Sequence, residues 1–350
     1  MKRVLLTGAT GFLGMEVLAR LLERTDREVL CLVRARDDAA AEQRLDGVFS
    51  TLYGDAPRYR SRVCAMPGDL TSHVTPPDAD VDVVCHCAAS IAFDLELEEA
   101  REINVDGTKT MLALAEEVGA RRFVHVSTAY VAGEHAGTFS EDMLDAGQTF
   151  RNTYEQTKWE AEHLVREAGL EWAIARPSIV MGESDTGWTP AFNVLYWPLR
   201  AFARGLFAHV PARPDGRVDV VPVDYVADGI SKLIETQETG TFHLVSGAEA
   251  ATVDELAEMA CSFFGRPRPP YVETRTLGDS AAEEHGAVYL PYFDMDVVFD
   301  DARTRERLGL QAPPLRGYFG TLLRYAETAR WGKRGNSRQE AHERLATAAG

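Results

Sequence analysis

Val4-Leu5-Leu6-Thr7-Gly8-Ala9-Thr10-Gly11-Phe12-Leu13-Gly14 decides how the rest of the chain is read. A short apolar run ends in glycines and opens into residues 15–23, whose apolar positions recur at helical spacing. Strand, glycine turn and helix in that order form the start of a dinucleotide-binding unit. Gly8, Gly11 and Gly14 are spaced G-x-x-G-x-x-G. Glycine permits the tight turn, lets the backbone approach a pyrophosphate and allows close helix–sheet packing. The helix that follows presents free N–H groups to the anion. Thr10, Phe12 and Leu13 lie in the same loop and are expected to share the cofactor contact.

Outward from this loop the pattern repeats. Residues 28–33, 62–66, 81–87 and 122–127 look like buried strands, and 105–118 is apolar at helical spacing. A helix starts near Thr153, and 172–175 is again strand-like. Continuous apolar strands alternating with amphipathic helices imply a parallel sheet covered on both faces. The expected class is α/β, a Rossmann-type doubly wound parallel sheet with a smaller C-terminal substrate-binding lobe. After Arg176-Pro177 the alternation breaks. Residues 218–225 and 241–245 read as strands, and 252–264 as a helix with Thr252 as N-cap. The expected division is 1–182 for the cofactor domain, with returning segments at about 218–247. Residues 183–217 and 248–330 form the substrate lobe, and 331–350 a polar tail, frayed or solvated.

Composition narrows the function. The chain has 350 residues, with 37 Lys plus Arg against 54 Asp plus Glu and a formal net charge of −17. So acidic a surface repels phosphate backbones and anionic lipid, which argues against general nucleic-acid binding. Cys31, Cys64, Cys85, Cys87 and Cys261 are odd in number and contain no C-x-x-C, so neither a zinc site nor a disulfide framework is indicated. Cys31, Cys85 and Cys87 lie in apolar, strand-like runs and read as small buried hydrophobes in a reducing compartment. The first residues do not follow the pattern of a secretory leader, and no long apolar window suits a membrane span. A cytoplasmic location is expected.

The cofactor is the next inference. Twenty residues beyond Gly14, where an NAD-binding unit places Asp or Glu for the ribose 2′-hydroxyl, stands Arg34. A guanidinium there suits a 2′-phosphate, so NADP(H) is favoured; Arg36 and Arg44 are candidates to assist. Gly68-Asp69-Leu70 follows the third strand, where the adenine would lie. Asp69 could bond its amino group or cap the following helix.

Tyr154-Glu155-Gln156-Thr157-Lys158 carries the chemistry. Tyr and Lys four apart lie on one helix face. A free tyrosine has a pKa of about 10. A nearby ammonium and an oxidised nicotinamide would favour its phenolate. A third group belongs at the end of the preceding strand, in His125-Val126-Ser127-Thr128-Ala129-Tyr130-Val131. Thr128 is the first candidate to hold a substrate oxygen and Ser127 the second; each could instead cap the backbone.

These stretches, with Asn104-Val105-Asp106-Gly107-Thr108, resemble the extended short-chain dehydrogenase/reductase superfamily over roughly residues 1–250. The resemblance implies that Asn104 supports the central site. It implies that His86-Cys87-Ala88-Ala89-Ser90 lines the cofactor, and that Arg176-Pro177-Ser178-Ile179 passes along the nicotinamide. Within the superfamily, Cys31-Leu32-Val33-Arg34-Ala35 and Gly182-Glu183-Ser184-Asp185-Thr186-Gly187 are similar to the thioester reductase and fatty acyl-CoA reductase branch. That likeness implies NADPH-driven reduction of an acyl thioester, bound to coenzyme A or to a carrier protein arriving in trans, to aldehyde or alcohol. Other readings of the same fold are a ketone or aldehyde (hydroxysteroid-type) dehydrogenase, a nucleotide-sugar epimerase or dehydratase, and a non-catalytic NADP(H)-sensing module. Phe150, Trp188, Tyr196 and Trp197 are candidates for the substrate pocket or the core. Arg204, Arg213 and Arg217 suit a solvated face or a phosphate contact.

Overall fold

The computed structural model describes residues 3–56, 58–72, 74–206, 209–272 and 287–349. Its first half runs β1 (Arg3–Thr7), α1 (Phe12–Arg24), β2 (Glu28–Val33), α2 (Asp38–Tyr53), β3 (Val63–Pro67), β4 (Val83–His86), α3 (Leu97–Arg101), α4 (Gly107–Glu117), β5 (Arg122–Val126), β6 (Gly137–Phe139), α5 (Thr153–Glu167) and β7 (Glu171–Pro177). The remainder runs β8 (Ile179–Met181), α6 (Tyr196–Ala203), β9 (Val210–Pro211), β10 (Arg217–Val218), β11 (Val220–Pro222), α7 (Val223–Glu235), β12 (Gly240–Leu244), β13 (Ala251–Thr252), α8 (Val253–Phe264), β14 (Tyr271–Val272), β15 (Val297–Phe299), α9 (Leu315–Thr328) and α10 (Arg338–Ala349).

The main sheet has the order β12-β7-β5-β4-β1-β2-β3. Every pairing in it is parallel. Its strands are apolar on both faces because both are covered. Val4 and Leu6 join a core with Val17, Leu21, Leu45 and Ile230 from α1, α2 and α7. Leu5, one residue out of phase, joins Met111, Leu114 and Val165 from α4 and α5. From β1 the chain proceeds to β2 and β3 on one side, then crosses to β4 and β5 on the other. That reversal opens a crevice beyond the carboxyl ends of β1 and β4. A separate core, including Tyr130, Met181, Leu199, Leu256, Tyr292 and Leu322, lies on the C-terminal side.

Several expectations are corrected. Residues 223–225 are not strand: Val223 begins α7, with Pro222 at its N-cap, where a missing N–H does no harm. The polar tail is not frayed, because α10 docks on α1 and α2 through the buried residues Arg338 and Ala341. Helices α2 and α9 had no counterpart in the sequence reading. The Thr252 cap holds, completed by a reciprocal bond from Glu255. Trp188 and Tyr196 are core, at 0% and 2% exposure. Arg213 pairs with Asp294 and Asp296, and Arg217 donates to the Ala248 carbonyl, so both are spent locally. Part of the expected substrate lobe, residues 273–286, lies outside the described residues.

Candidate active site

The crevice is built at the end of β1. The Thr7 hydroxyl accepts from the Cys87 and Ala88 amides at 3.1 and 3.0 Å and meets His86 Nδ1 at 2.9 Å, strapping β1 to β4. Gly8 then turns with φ of +77°, and a Cβ there would stand 2.8 Å from the Ala88 nitrogen. A Cβ on Gly14 would stand 2.2 Å from the Gly8 carbonyl oxygen, so α1 packs directly onto the turn. Gly11 caps α1 in extended conformation without a side-chain hydrogen bond, leaving the first-turn N–H groups for an anion. Thr10, Gly11, Phe12 and Leu13 are at least partly exposed along this rim. A bare-backbone cradle with unfilled helical donors fits a dinucleotide pyrophosphate.

At the far side of the crevice, Arg34 follows β2 and is exposed. The Arg44 guanidinium donates to its backbone carbonyl, which puts the Arg44 cation beside the Arg34 backbone. Arg36 is turned to Asp37 at 3.1 Å. Asp69 closes an Asx-turn, accepting from the Thr71 amide and hydroxyl at 3.1 and 3.0 Å. The described residues after Asp69 form no helix for it to cap, so this local turn stands in place of the expected helix cap. Leu70 packs on Gly107 at the start of α4.

The segment after β4 is held from below. The buried Asn104 accepts from the Ser90 amide at 2.8 Å and donates to the Ser90 carbonyl and the Thr157 hydroxyl at 3.2 and 3.0 Å. It sits in a π-helical segment, Glu102–Asp106, a distortion often found at functional sites. Asn104 thus ties the loop of Ala88, Ala89 and Ser90 to the turn of α5 that bears Tyr154 and Lys158.

Asn152 caps α5, accepting from the Glu155 amide, and the next residues put Tyr154 and Lys158 on one face. The Thr128 hydroxyl acts on the Tyr154 phenol, favouring its ionised form. Ser127, also buried, lies instead beside Glu162. The geometry therefore brings Thr128, not Ser127, to Tyr154. Burial pushes Tyr154 up to about 12, opposed by the Thr128 hydroxyl. Burial pushes Lys158 down to about 8. Its amine donates to the Val126 carbonyl at 2.8 Å and faces His125 Nε2 at 3.4 Å. Burial therefore dominates at Tyr154, and the protein groups that act on its phenol are Thr128, Cys87 and Glu155 rather than the Lys158 ammonium suggested by the spacing.

Pro177, Ser178 and Ile179 are buried at the end of β7, and the Pro177 carbonyl accepts from Thr128 at 3.4 Å. Arg176 is fully buried in a two-pronged bond to Glu162 at 2.8 and 2.7 Å and does not reach the crevice.

Sequence reasoning gave no role to an aromatic wall beside Tyr154. Phe93 lies 5.7 Å from the Tyr154 ring and 5.6 and 5.4 Å from Tyr289 and Tyr292. Tyr292 donates to Glu155 at 2.7 Å and accepts from Asn152 at 2.8 Å. These residues come from three distant segments without periodicity, so no local signal joins them. His125 had a visible signal, a polar residue in a buried strand one position before the end of β5. Among the described residues no cluster of His, Cys, Asp and Glu could hold a metal, and no helix is long and apolar enough to cross a membrane.

Comparison with known proteins agrees with this geometry. The NAD-binding family model described as male sterility protein matches residues 6–230. A linear gramicidin synthase of Brevibacillus parabrevis is 31% identical over 274 residues, covering 72% of this chain and 5% of that protein. Fatty acyl-CoA reductase 1 of Homo sapiens is 31% identical over 273 residues, covering 65% of this chain and 53% of that protein. The chain thus spans about half or less of these relatives. The terminal R domain from the myxalamid PKS-NRPS biosynthetic pathway superposes with a TM-score of 0.82 at 26% identity, over 96% of this chain and 93% of that one.

Proposed function

The chain belongs to the male sterility protein family of NAD-binding proteins, and from that premise we propose that it is an NADPH-dependent reductase of acyl thioesters. The substrate would be presented on coenzyme A or on a carrier protein in trans. The observation that carries the reading is the convergence on the Tyr154 phenol of Thr128 and of Cys87, which adjoins Gly8 of the glycine cradle, with Lys158 one turn further on.

The two hydroxyls form a paired donor for one carbonyl oxygen. Bound in the cradle of Gly8, Gly11 and Gly14, with Arg34 and Arg44 at its 2′-phosphate, the nicotinamide cofactor supplies the hydride. Charge then develops on the thioester oxygen, where Thr128 and Tyr154 donate to it. Tyr154 is suited to this direction, because burial keeps its phenol protonated through the neutral range. Passing that proton to the oxygen gives a hemithioacetal, which breaks its C–S bond to an aldehyde and a thiol. A second hydride and proton would take the aldehyde to the alcohol. Lys158, an ammonium or amine balanced near about 8, stands behind Tyr154 to return the proton.

The preference for NADPH rests on two guanidinium-bearing residues where an acidic side chain would serve NAD. The test is cofactor oxidation with acyl-pantetheine, acyl-coenzyme A, aldehyde, ketone and nucleotide-sugar substrates, with the products identified. Thioester-dependent NADPH oxidation with release of thiol is expected. Turnover of nucleotide sugars with tightly retained NAD, and none of thioesters, would overturn the reading.

A further inference from the structure

We propose that an apolar cavity behind the aromatic wall receives the far end of an unbranched aliphatic acyl chain. This rests on the thioester reading and adds what kind of acyl group the site selects. The wall is a 3₁₀-helix, Ala287–Phe293. In such a helix side chains three apart lie in line. Tyr289 and Tyr292 form one row and pack on Phe93, which in turn packs on Tyr154. Leu290 and Phe293 form the next row and face a cavity of about 110 Å³. One short element therefore lines the cavity with one row and, through Phe93, backs Tyr154 with the other. It is also anchored to the catalytic helix, through the bonds of Tyr292 to Glu155 and Asn152.

The cavity lies between α6, α8 and this wall, with Leu199, Phe202, Leu256 and Ala260 among its sides. Every lining side chain except that of His209 is apolar. A charged or amide-bearing acyl group would lose its water there without adequate compensation. An alkyl tail loses nothing of that kind, and each methylene bound strengthens binding about fourfold. The volume is below the ~150 Å³ of an apolar cavity that takes benzene, so about four terminal carbons fit. Acyl groups too short to pass the wall gain nothing from it.

The test compares the wild type with Ala257→Leu and Ala260→Leu, which fill the cavity from α8 and leave Tyr154 and its neighbours untouched. For dodecanoyl-pantetheine we expect kcat/KM to fall at least ~10-fold, about two methylenes' worth, while acetyl-pantetheine changes less than about twofold. Equal losses for both substrates, or no loss in either variant, would overturn the inference. Binding gives a second readout that needs no turnover. Thermal stabilisation by the unreactive S-dodecyl-pantetheine should exceed that by S-ethyl-pantetheine in the wild type and lose its advantage in the variants. If S-dodecyl and S-ethyl stabilise the wild type equally, the cavity does not take the chain, even where thioesters are reduced. If S-dodecyl binds through the cavity but no thioester is reduced, the reductase reading fails and the cavity assignment stands.

Discussion

Lys158 Nζ faces His125 Nε2 at 3.4 Å in a buried pocket under the crevice, with the Val126 carbonyl as its hydrogen-bond acceptor at 2.8 Å. No carboxylate bonds that amine among the described residues, and burial lowers the lysine to about 8. His125 is held well below the ordinary histidine range, first by burial and then by Lys158 and His86. At neutral pH the charge therefore sits on Lys158 beside a neutral imidazole. In the unfolded chain the lysine keeps its proton up to about 10.4. Below pH about 8 both states are charged, so the folded state bears the full desolvation penalty. As pH rises from about 8 to about 10.4 the folded protein releases the proton first, and its stability relative to the unfolded chain rises. Lys158→Met should abolish turnover yet resist urea better than the wild type near pH 6.5, by up to ~3 kcal/mol. The advantage should shrink toward pH ~10. Urea midpoints at several pH values check this; a Met variant less stable at every pH would contradict it.

The pairing of the Thr128 hydroxyl with the Tyr154 phenol predicts an unequal pair of losses. Tyr154→Phe removes the proton source and should lower kcat by roughly 10²–10⁴-fold while leaving NADPH affinity within about twofold. Thr128→Val removes a donor to the same oxygen but leaves the acid, so a loss of ~10–100-fold is expected. Ser127→Ala should act mainly on stability, since Ser127 lies beside Glu162 and away from the phenol. Steady-state kinetics and cofactor titration of the three variants separate these outcomes.

Arg34 tests the cofactor assignment. Its side chain is exposed, with Arg44 on its carbonyl, so its replacement disturbs no core. Arg34→Ala should raise the KM for NADPH ~10–100-fold, the worth of lost charge-assisted bonds, and change the KM for NADH little. Arg34→Asp should reverse the preference, by repelling the 2′-phosphate and accepting from a ribose hydroxyl. Equal effects on both cofactors would mean that the guanidinium does not meet the 2′-phosphate.

The legible parts of the molecule were those written in local chemistry. Gly8, Gly11 and Gly14 announced the cradle because a tight turn against a helix tolerates no Cβ, and strands such as Val4–Leu6 announced the parallel sheet because both faces are covered. Tyr154 and Lys158 gained their reading from helical spacing taken together with the glycine loop upstream and Thr128 between. The misread parts depended on distant partners. Val223 looked like strand because a β-branched run after Val220 does not reveal that Pro222 starts a helix. Arg338 looked like a solvated charge because the carboxylates that bury it, Glu16 and Glu183, are 322 and 155 positions away. Phe93, Tyr154 and Tyr292 form one wall that only the folded chain assembles.

Gly14 offers a direct measure of how close the cradle is. A methyl there would lie 2.2 Å from the Gly8 carbonyl oxygen and 2.6 Å from its carbon, both backbone atoms that cannot step aside. Gly14→Ala should therefore displace α1 from the turn, lower stability by ~1–3 kcal/mol and weaken NADPH binding at least ~10-fold. Gly47→Ala, on α2 with nothing within 4 Å of its Cβ, is the matched control and should be neutral or stabilising.

Arg338 joins the last helix to both α1 and the turn at residues 182–189. Its guanidinium meets Glu16 at 3.0 Å, Glu23 at 2.8 Å and Glu183 at 2.7 Å, and His342 meets Glu183 at 2.9 Å. Burial raises Glu16 above the ordinary carboxyl range despite Arg338, while hydrogen bonds from His342 and Arg338 hold Glu183 below it against burial. The same turn places Trp188 against Phe12 of the glycine loop, with its indole donating to the Asn336 carbonyl at 3.0 Å. Removing the cation leaves two buried carboxylates without their common partner, so Arg338→Ala should lower stability by ~3–5 kcal/mol. In that variant the folded carboxyls hold protons more tightly than the unfolded ones, so its deficit should be largest near pH 8 and shrink as the pH falls toward about 5. Because the turn leans on Phe12, NADPH affinity should fall with stability, whereas Arg316→Ala, an exposed pair with Glu258 on the C-terminal lobe, should change neither by more than ~0.5 kcal/mol. An Arg338→Ala protein with wild-type urea midpoints and NADPH affinity would show that α10 lies on the domain without holding it.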